Sequence, residues 1–199
     1  MFASIFRMAT FSLIIGLLLA SVSWADDRKI ELKVGDKAPA LEARTDADAT
    51  WTSAEHFGKK WVVIYFYPGD FTPGCTAQAR AFRDAMHKLT DKGVEVVGVS
   101  GDSVLTHSRF KKAQKLNFTL LADEEGTIAK LFGVPVGKGR KVKAKDSEGK
   151  PIEIIRDVTT ARWTFVIGKD GKIAYKNTKV IPARDAKAIS EFIAKTEKK

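Results

Sequence analysis

Seven consecutive apolar or aromatic residues, Trp61-Val-Val-Ile-Tyr-Phe-Tyr67, form the longest such run in the chain beyond its first 25 residues. A run this short and rich in β-branched side chains predicts a strand buried on both faces. Pro68-Gly69-Asp70 ends it. After Cys75 the period changes. Phe82, Ala85, Met86 and Leu89 recur at i, i+3, i+4 and i+7, the spacing of one helix face, and Gly93 suits the stop. Val94 to Val99 reads as a second strand. Asp102 or Ser103 is placed to cap a helix running to about Leu116. A short strand (Phe118 to Leu121) and a short helix (Glu124 to Phe132) follow.

Between Pro135 and Thr160 the alternating Lys141-Val-Lys-Ala-Lys145, the turn at Asp146-Ser-Glu-Gly149 and Pro151-Ile-Glu-Ile-Ile155 predict a basic hairpin insertion over about 136–156. Thr164 to Ile167 and Lys172 to Lys176 flank Asp170-Gly171, a strong hairpin signal. Pro182 suits the first turn of a last helix, with Ala186, Ile189 and Ile193 on its inner face. Strands that alternate with helices make this an α/β chain, with a central mixed β-sheet flanked by helices. Ligand chemistry in such sheets lies at the carboxyl ends of the strands. The loop after Tyr67 is therefore the first place to look.

Residues 1–25 follow another pattern. Arg7, the apolar run Phe11 to Ala20 and the small residues Ser23 and Ala25 describe a signal peptide cut after Ala25, since the apolar run falls short of the roughly 20 residues a bilayer span takes. The domain is then 26–199, and the expected location is outside the cytoplasm, in a bacterial periplasm. The net charge of +10 falls to +9 when Arg7 leaves with the leader. Much of that charge lies between Lys138 and Lys150 and in the tail, without a motif for base readout, so no specific nucleic-acid partner is expected. His56, His87 and His107 lack metal-ligand spacing, and no metal or organic cofactor is expected.

One cysteine is present. Exported chains usually carry cysteines in pairs, so a single thiol points to a reactive group, to an intermolecular partner or to an inert buried residue. The neighbours favour reactivity. Cys75 opens a helix, whose unpaired N–H groups and dipole favour thiolate. Thr72 offers a hydroxyl that can donate and accept. Pro68 and Pro73 stiffen the loop.

Tyr67-Pro68-Gly-Asp-Phe-Thr72-Pro73-Gly74-Cys75-Thr76 resembles the peroxiredoxin signature, and its wording is closest to the bacterioferritin comigratory protein, or Q-type, branch. The similarity runs from about Val34 to the last helix. It implies a thioredoxin-like fold, a peroxide substrate, and Cys75 as the nucleophile that becomes a sulfenic acid. Arg162-Trp163-Thr164-Phe165 matches the family's arginine strand, with Trp163 where relatives carry a small residue, so Arg162 is the implied partner cation. Pro68 and Thr72 complete the implied site. Many relatives carry a resolving cysteine five residues after the first. Here that position is Arg80, so the implied mechanism uses an external thiol reductant: a thioredoxin-like protein, glutaredoxin or small thiol. Monomer and homodimer both remain open. Two rival readings are a degenerate thioredoxin-like disulfide oxidoreductase, which lacks its second thiol and a proline where Trp163 stands, and a non-enzymatic binding module.

Overall fold

The computed structural model describes residues 30–198; the leader expected over 1–25 lies outside them. Two short strands, β1 (Glu42–Thr45) and β2 (Thr50–Thr52), come first, and the hydrophobic pattern had not predicted them. The alternating units follow: β3 (Trp61–Phe66), α1 (Pro73–Thr90), β4 (Val94–Ser100), α2 (Val104–Gln114), β5 (Thr119–Ala122) and α3 (Thr127–Leu131). Ser103 caps α2, accepting from the Thr106 N–H.

The basic insertion is larger than the single hairpin expected. β6 (Val136–Lys138) pairs with β9 (Val158–Thr160), and within that ladder β7 (Lys141–Lys145) pairs with β8 (Pro151–Ile155). The excursion therefore closes at Thr160 rather than Arg156. Strands β10 (Trp163–Ile167) and β11 (Ile173–Asn177) form the Asp-Gly hairpin. Pro182 opens a 3₁₀ turn, and α4 (Asp185–Thr196) follows it.

Seven strands make one mixed sheet in the order β11-β10-β3-β4-β5-β1-β2. The β3, β4 and β5 pairs are parallel; those on either side are antiparallel. Strand β3 explains the two-layer build. Its odd residues, Val63 and Tyr65, face a cluster with Phe82 and Leu89 of α1, Phe110 of α2 and Ile189 and Ile193 of α4. Its even residues, Val62, Ile64 and Phe66, face Val97, Val99, Phe132 and Phe165. Period two in the strand thus feeds two cores at once. Each buried side chain of this size contributes about 1.5–3 kcal/mol. Both cores hold β3 rigid, and its carboxyl end carries the loop that leads to Cys75.

Candidate active site

The loop from Pro68 to Thr72 leaves β3 and enters α1 with Thr72 as N-cap, Pro73 at the first helical position and Cys75 two residues on. Pro73 lacks an N–H that would have no partner there in any case. The first-turn amides have no intrahelical acceptor, so the positive end of α1 lies at the sulfur. Phe71 holds a left-handed backbone at φ 59°, unusual for a non-glycine residue. Two contacts hold it there. The Asp70 N–H donates to Asp102 Oδ2 (2.8 Å), and the Phe71 ring meets Phe110 edge-on at 5.1 Å. The Thr72 hydroxyl donates to the Gly69 carbonyl (3.0 Å), which ties the loop to the helix start. Pro68 is half-buried at the base of the loop.

Cys75 is 1% exposed. Its sulfur faces the guanidinium of Arg162, whose Nη2 donates to Sγ at 3.1 Å. Arg162 precedes β10, the antiparallel neighbour of β3, so the central sheet fixes both partners. The structure thus places Arg162 on the Cys75 sulfur, while the Thr72 hydroxyl is turned to the Gly69 carbonyl. Trp163 does not intrude: its ring packs near Phe165, and Lys176 lies 4.8 Å above it. Arg80 points away to α2, donating to Gln114 Oε1 (2.9 Å).

Two further residues complete the arginine's surroundings. Arg162 Nη1 donates to Gln78 Oε1. Gln78 Nε2 donates to Asp185 Oδ2 (2.7 Å), which also accepts from the Thr164 hydroxyl (2.7 Å). Neither Gln78 nor Asp185 was predicted. The available signal was a polar residue inside an apolar stripe: Gln78 sits one turn from Cys75 and Phe82, and Asp185 one turn from Ile189.

A second buried polar cluster lies behind the loop. Asp70 Oδ1 accepts from the Tyr67 hydroxyl (2.8 Å), and Asp70 Oδ2 meets His107 Nδ1 (2.8 Å). His107 Nε2 faces the Leu121 carbonyl (3.2 Å), which can only accept, so that nitrogen carries hydrogen. Burial opposes charge on the ring, but Asp70 overrides it and raises the His107 value; burial also pushes the Asp70 carboxyl up, so the pair keeps its shared proton. Asp102 is paired with Arg156 (2.8 Å), and Arg156 Nη2 donates to the Asp70 carbonyl (3.0 Å). Arg156 arrives from the insertion. A Cβ on Gly69 would run into its guanidinium, so glycine is required there.

No group of three or more metal-ligating side chains occurs among the described residues. What the site offers is a buried sulfur at a helix N-terminus with a cation bonded to it.

Known proteins resemble this chain in sequence and in fold. Residues 34–176 match the AhpC/TSA family. The chain is 45% identical over 141 residues to a chloroplastic peroxiredoxin Q of Oryza sativa, a match covering 71% of this chain and 57% of that one. It therefore spans a little over half the length of that relative. It is 41% identical over 145 residues to a putative peroxiredoxin of Coxiella burnetii, covering 73% of this chain and 87% of the other. Among solved structures, the bacterioferritin comigratory protein of Xanthomonas campestris, described for its alkyl peroxide reduction activity, superposes with a TM-score of 0.64 at 28% identity, covering 78% of this chain and 91% of that one. Peroxidoxin BcpB of Mycobacterium tuberculosis gives 0.68 at 26% identity, covering 83% and 98%. With the family match, these relatives and the thioredoxin-type sheet around Cys75, the chain belongs to the AhpC/TSA family of peroxiredoxins, on its Q-type branch.

Proposed function

We propose that this protein is a thiol-dependent peroxidase that reduces hydrogen peroxide and organic hydroperoxides by a one-cysteine mechanism. The observation that carries the reading is the Arg162 guanidinium bonded to Cys75 Sγ at the start of α1. An arginine is always charged and offers a planar fork of donors. It gives the sulfur and the developing charge on the leaving oxygen a fixed donor partner.

The Cys75 thiolate attacks the terminal oxygen of ROOH and the O–O bond breaks. The leaving RO⁻ takes a proton and departs as alcohol, or as water from hydrogen peroxide, and Cys75 is left as sulfenic acid. An external thiol attacks the sulfenic sulfur and water leaves, giving a mixed disulfide. A second thiol attacks the external sulfur, releasing a disulfide and restoring Cys75. Two thiols are oxidised for each peroxide reduced. Arg162 meets the reacting sulfur at the amide end of α1, Thr72 ties the loop to the helix start through the Gly69 carbonyl, and the ring of Pro68 restricts the loop backbone.

The reductant is a thioredoxin-like protein, a glutaredoxin or a small thiol. The single cysteine supports this, since the sequence supplies no internal resolving partner. The basic start, apolar centre and small residues up to Ala25 support export to a periplasm with a chain beginning at Asp26. Amino-terminal sequencing of protein from the native host tests that part; a chain still beginning at Met1 refutes it. The enzymatic reading is tested by peroxide consumption with dithiothreitol as reductant. Wild type should consume peroxide with loss of one titratable thiol, and Cys75→Ser should consume none while keeping the same circular dichroism. Equal activity in the serine variant overturns the reading.

A further inference from the structure

Asp185 has no part in the cycle above, yet it is 2% exposed and, as the first residue of α4, is hydrogen-bonded to Thr164 of the site's arginine strand. Its surroundings determine what it does. Arg162 has donors and no acceptor, so the Gln78 amide atom facing it must be oxygen. The Gln78 NH₂ group then points to Asp185, which must accept. Thr164, one residue along β10 from Trp163, donates to the same Asp185 oxygen. The order Asp185, Gln78, Arg162, Cys75 is therefore fixed by donor and acceptor chemistry alone. Without an acceptor at Asp185, nothing obliges the Gln78 amide to keep its oxygen toward the guanidinium. A flip would place two donors face to face.

We propose that Asp185 is a positioning residue for the peroxidase reaction, acting through Gln78 to hold the Arg162 guanidinium against the Cys75 sulfur. This rests on the peroxidase reading above and deepens it. Asp185 works as an acceptor at a set place rather than as a charge felt by the sulfur. The last helix is thereby made part of the site: α4 docks on α1 through Ile189 and Ile193, and its first residue sets the catalytic cation.

The test compares second-order rates of peroxide consumption with rates of Cys75 alkylation by iodoacetamide at one pH, in wild type and variants of the full chain. Asp185→Leu removes the acceptor and should slow both reactions, the peroxide reaction by about 10- to 100-fold, the range for a small misplacement of a catalytic group. Asp185→Asn can present an oxygen to Gln78 and should stay within about threefold of wild type. Gln78→Glu in the Asp185→Leu background supplies its own acceptor to Arg162 and should recover most of the loss. A role limited to anchoring α4 lowers thermal stability without this pattern, and Gln78→Glu does not relieve it. Wild-type rates in Asp185→Leu overturn the proposal, as does a folded double variant that is no faster than Asp185→Leu. Should Asp185→Leu fail to fold, Gln78→Leu cuts the same link from α1 and must show the same loss; wild-type rates there overturn the proposal equally. A wild-type protein that consumes no peroxide refutes the enzymatic reading, and the alkylation rates still judge the link to Arg162.

Discussion

Arg156 is the side chain whose loss should be felt most widely, and Arg156→Met is the informative change. Its guanidinium is buried against Asp102, with Nε and Nη2 both on Oδ1 (2.9 and 2.8 Å). Asp102 is fully buried; its other oxygen takes the Asp70 N–H and the Ser100 hydroxyl (2.8 Å each). Methionine fills much of the arginine's volume but leaves Asp102 a buried carboxylate with no counter-charge. Removing one partner of such a pair costs about 3–5 kcal/mol. In a domain of this size each kcal/mol moves the melting temperature by about 2–4 °C, so the expected fall is roughly 6–20 °C. Arg156 also bonds the Asp70 carbonyl, two residues from Thr72, so the peroxide rate should fall at temperatures where the variant is fully folded. Thermal melts by circular dichroism and stopped-flow peroxide kinetics read the two effects. Lys143→Met, exposed on the same excursion, is the control and should stay within about 0.5 kcal/mol. Adding Asp102→Asn to Arg156→Met should recover part of the stability, because a neutral amide oxygen still accepts from Asp70 and Ser100. A melting temperature within about 2 °C of wild type for Arg156→Met would refute the reasoning that this pair anchors the loop.

Arg162→Ala removes a charge-assisted bond to sulfur of about 1.5–3 kcal/mol and should slow peroxide attack about 10- to 160-fold; an unchanged second-order rate removes Arg162 from the site. Thr72→Val loses the bond to the Gly69 carbonyl and should reduce the rate, while Thr72→Ser should retain most of it; equal loss in both assigns the effect to packing. Burial opposes the charge of Glu95, but hydrogen bonds from Trp51, Lys60 and His56 outweigh it and hold the carboxyl below its usual value. Its contribution to stability is therefore present above the unfolded value of about 4.3 and lost as pH falls through the lower folded value. Urea unfolding of Glu95→Gln should show a deficit at pH 6 that closes below about pH 4; a deficit independent of pH contradicts this.

The parts of the fold legible in the sequence were those with a strong period. Strand β3 announced burial on both faces, α1 its inner face through Phe82 and Leu89, and α4 its stripe of Ala186, Ile189 and Ile193, all of them buried. Cys75 and Thr72 were singled out by the loop's own residues and Arg162 by the family resemblance, and of these the structure bonds Arg162 to the Cys75 sulfur. Strands β1 and β2 were missed because three or four residues with a single large apolar side chain, Trp51, give no period to read. Arg156 carries no local signal in the sequence. Nothing in local spacing separates a guanidinium that returns to the core from the exposed lysines of β7, because its burial depends on Asp102, 54 residues away. Gln78 and Asp185 are 107 residues apart and hydrogen-bonded, a pairing that only the docking of α4 on α1 creates.

Strand β9 joins two arginines, one held against the loop after β3 and the other against the helix start that this loop leads into. Arg156 lies against Gly69 and Asp70, Arg162 against Cys75, and between them Thr160 donates to the Tyr67 carbonyl (2.9 Å). Successive strand residues face opposite ways, so one residue gained or lost in this stretch turns its side chains to the wrong face. The β7–β8 tip carries no such restriction, since the β6–β9 ladder closes beneath it. The arm therefore behaves as a ruler with a free end. Its tip can be lengthened, shortened or recharged at little cost to catalysis, whereas the six-residue interval from Arg156 to Arg162 is a fixed measure against which the catalytic loop is set.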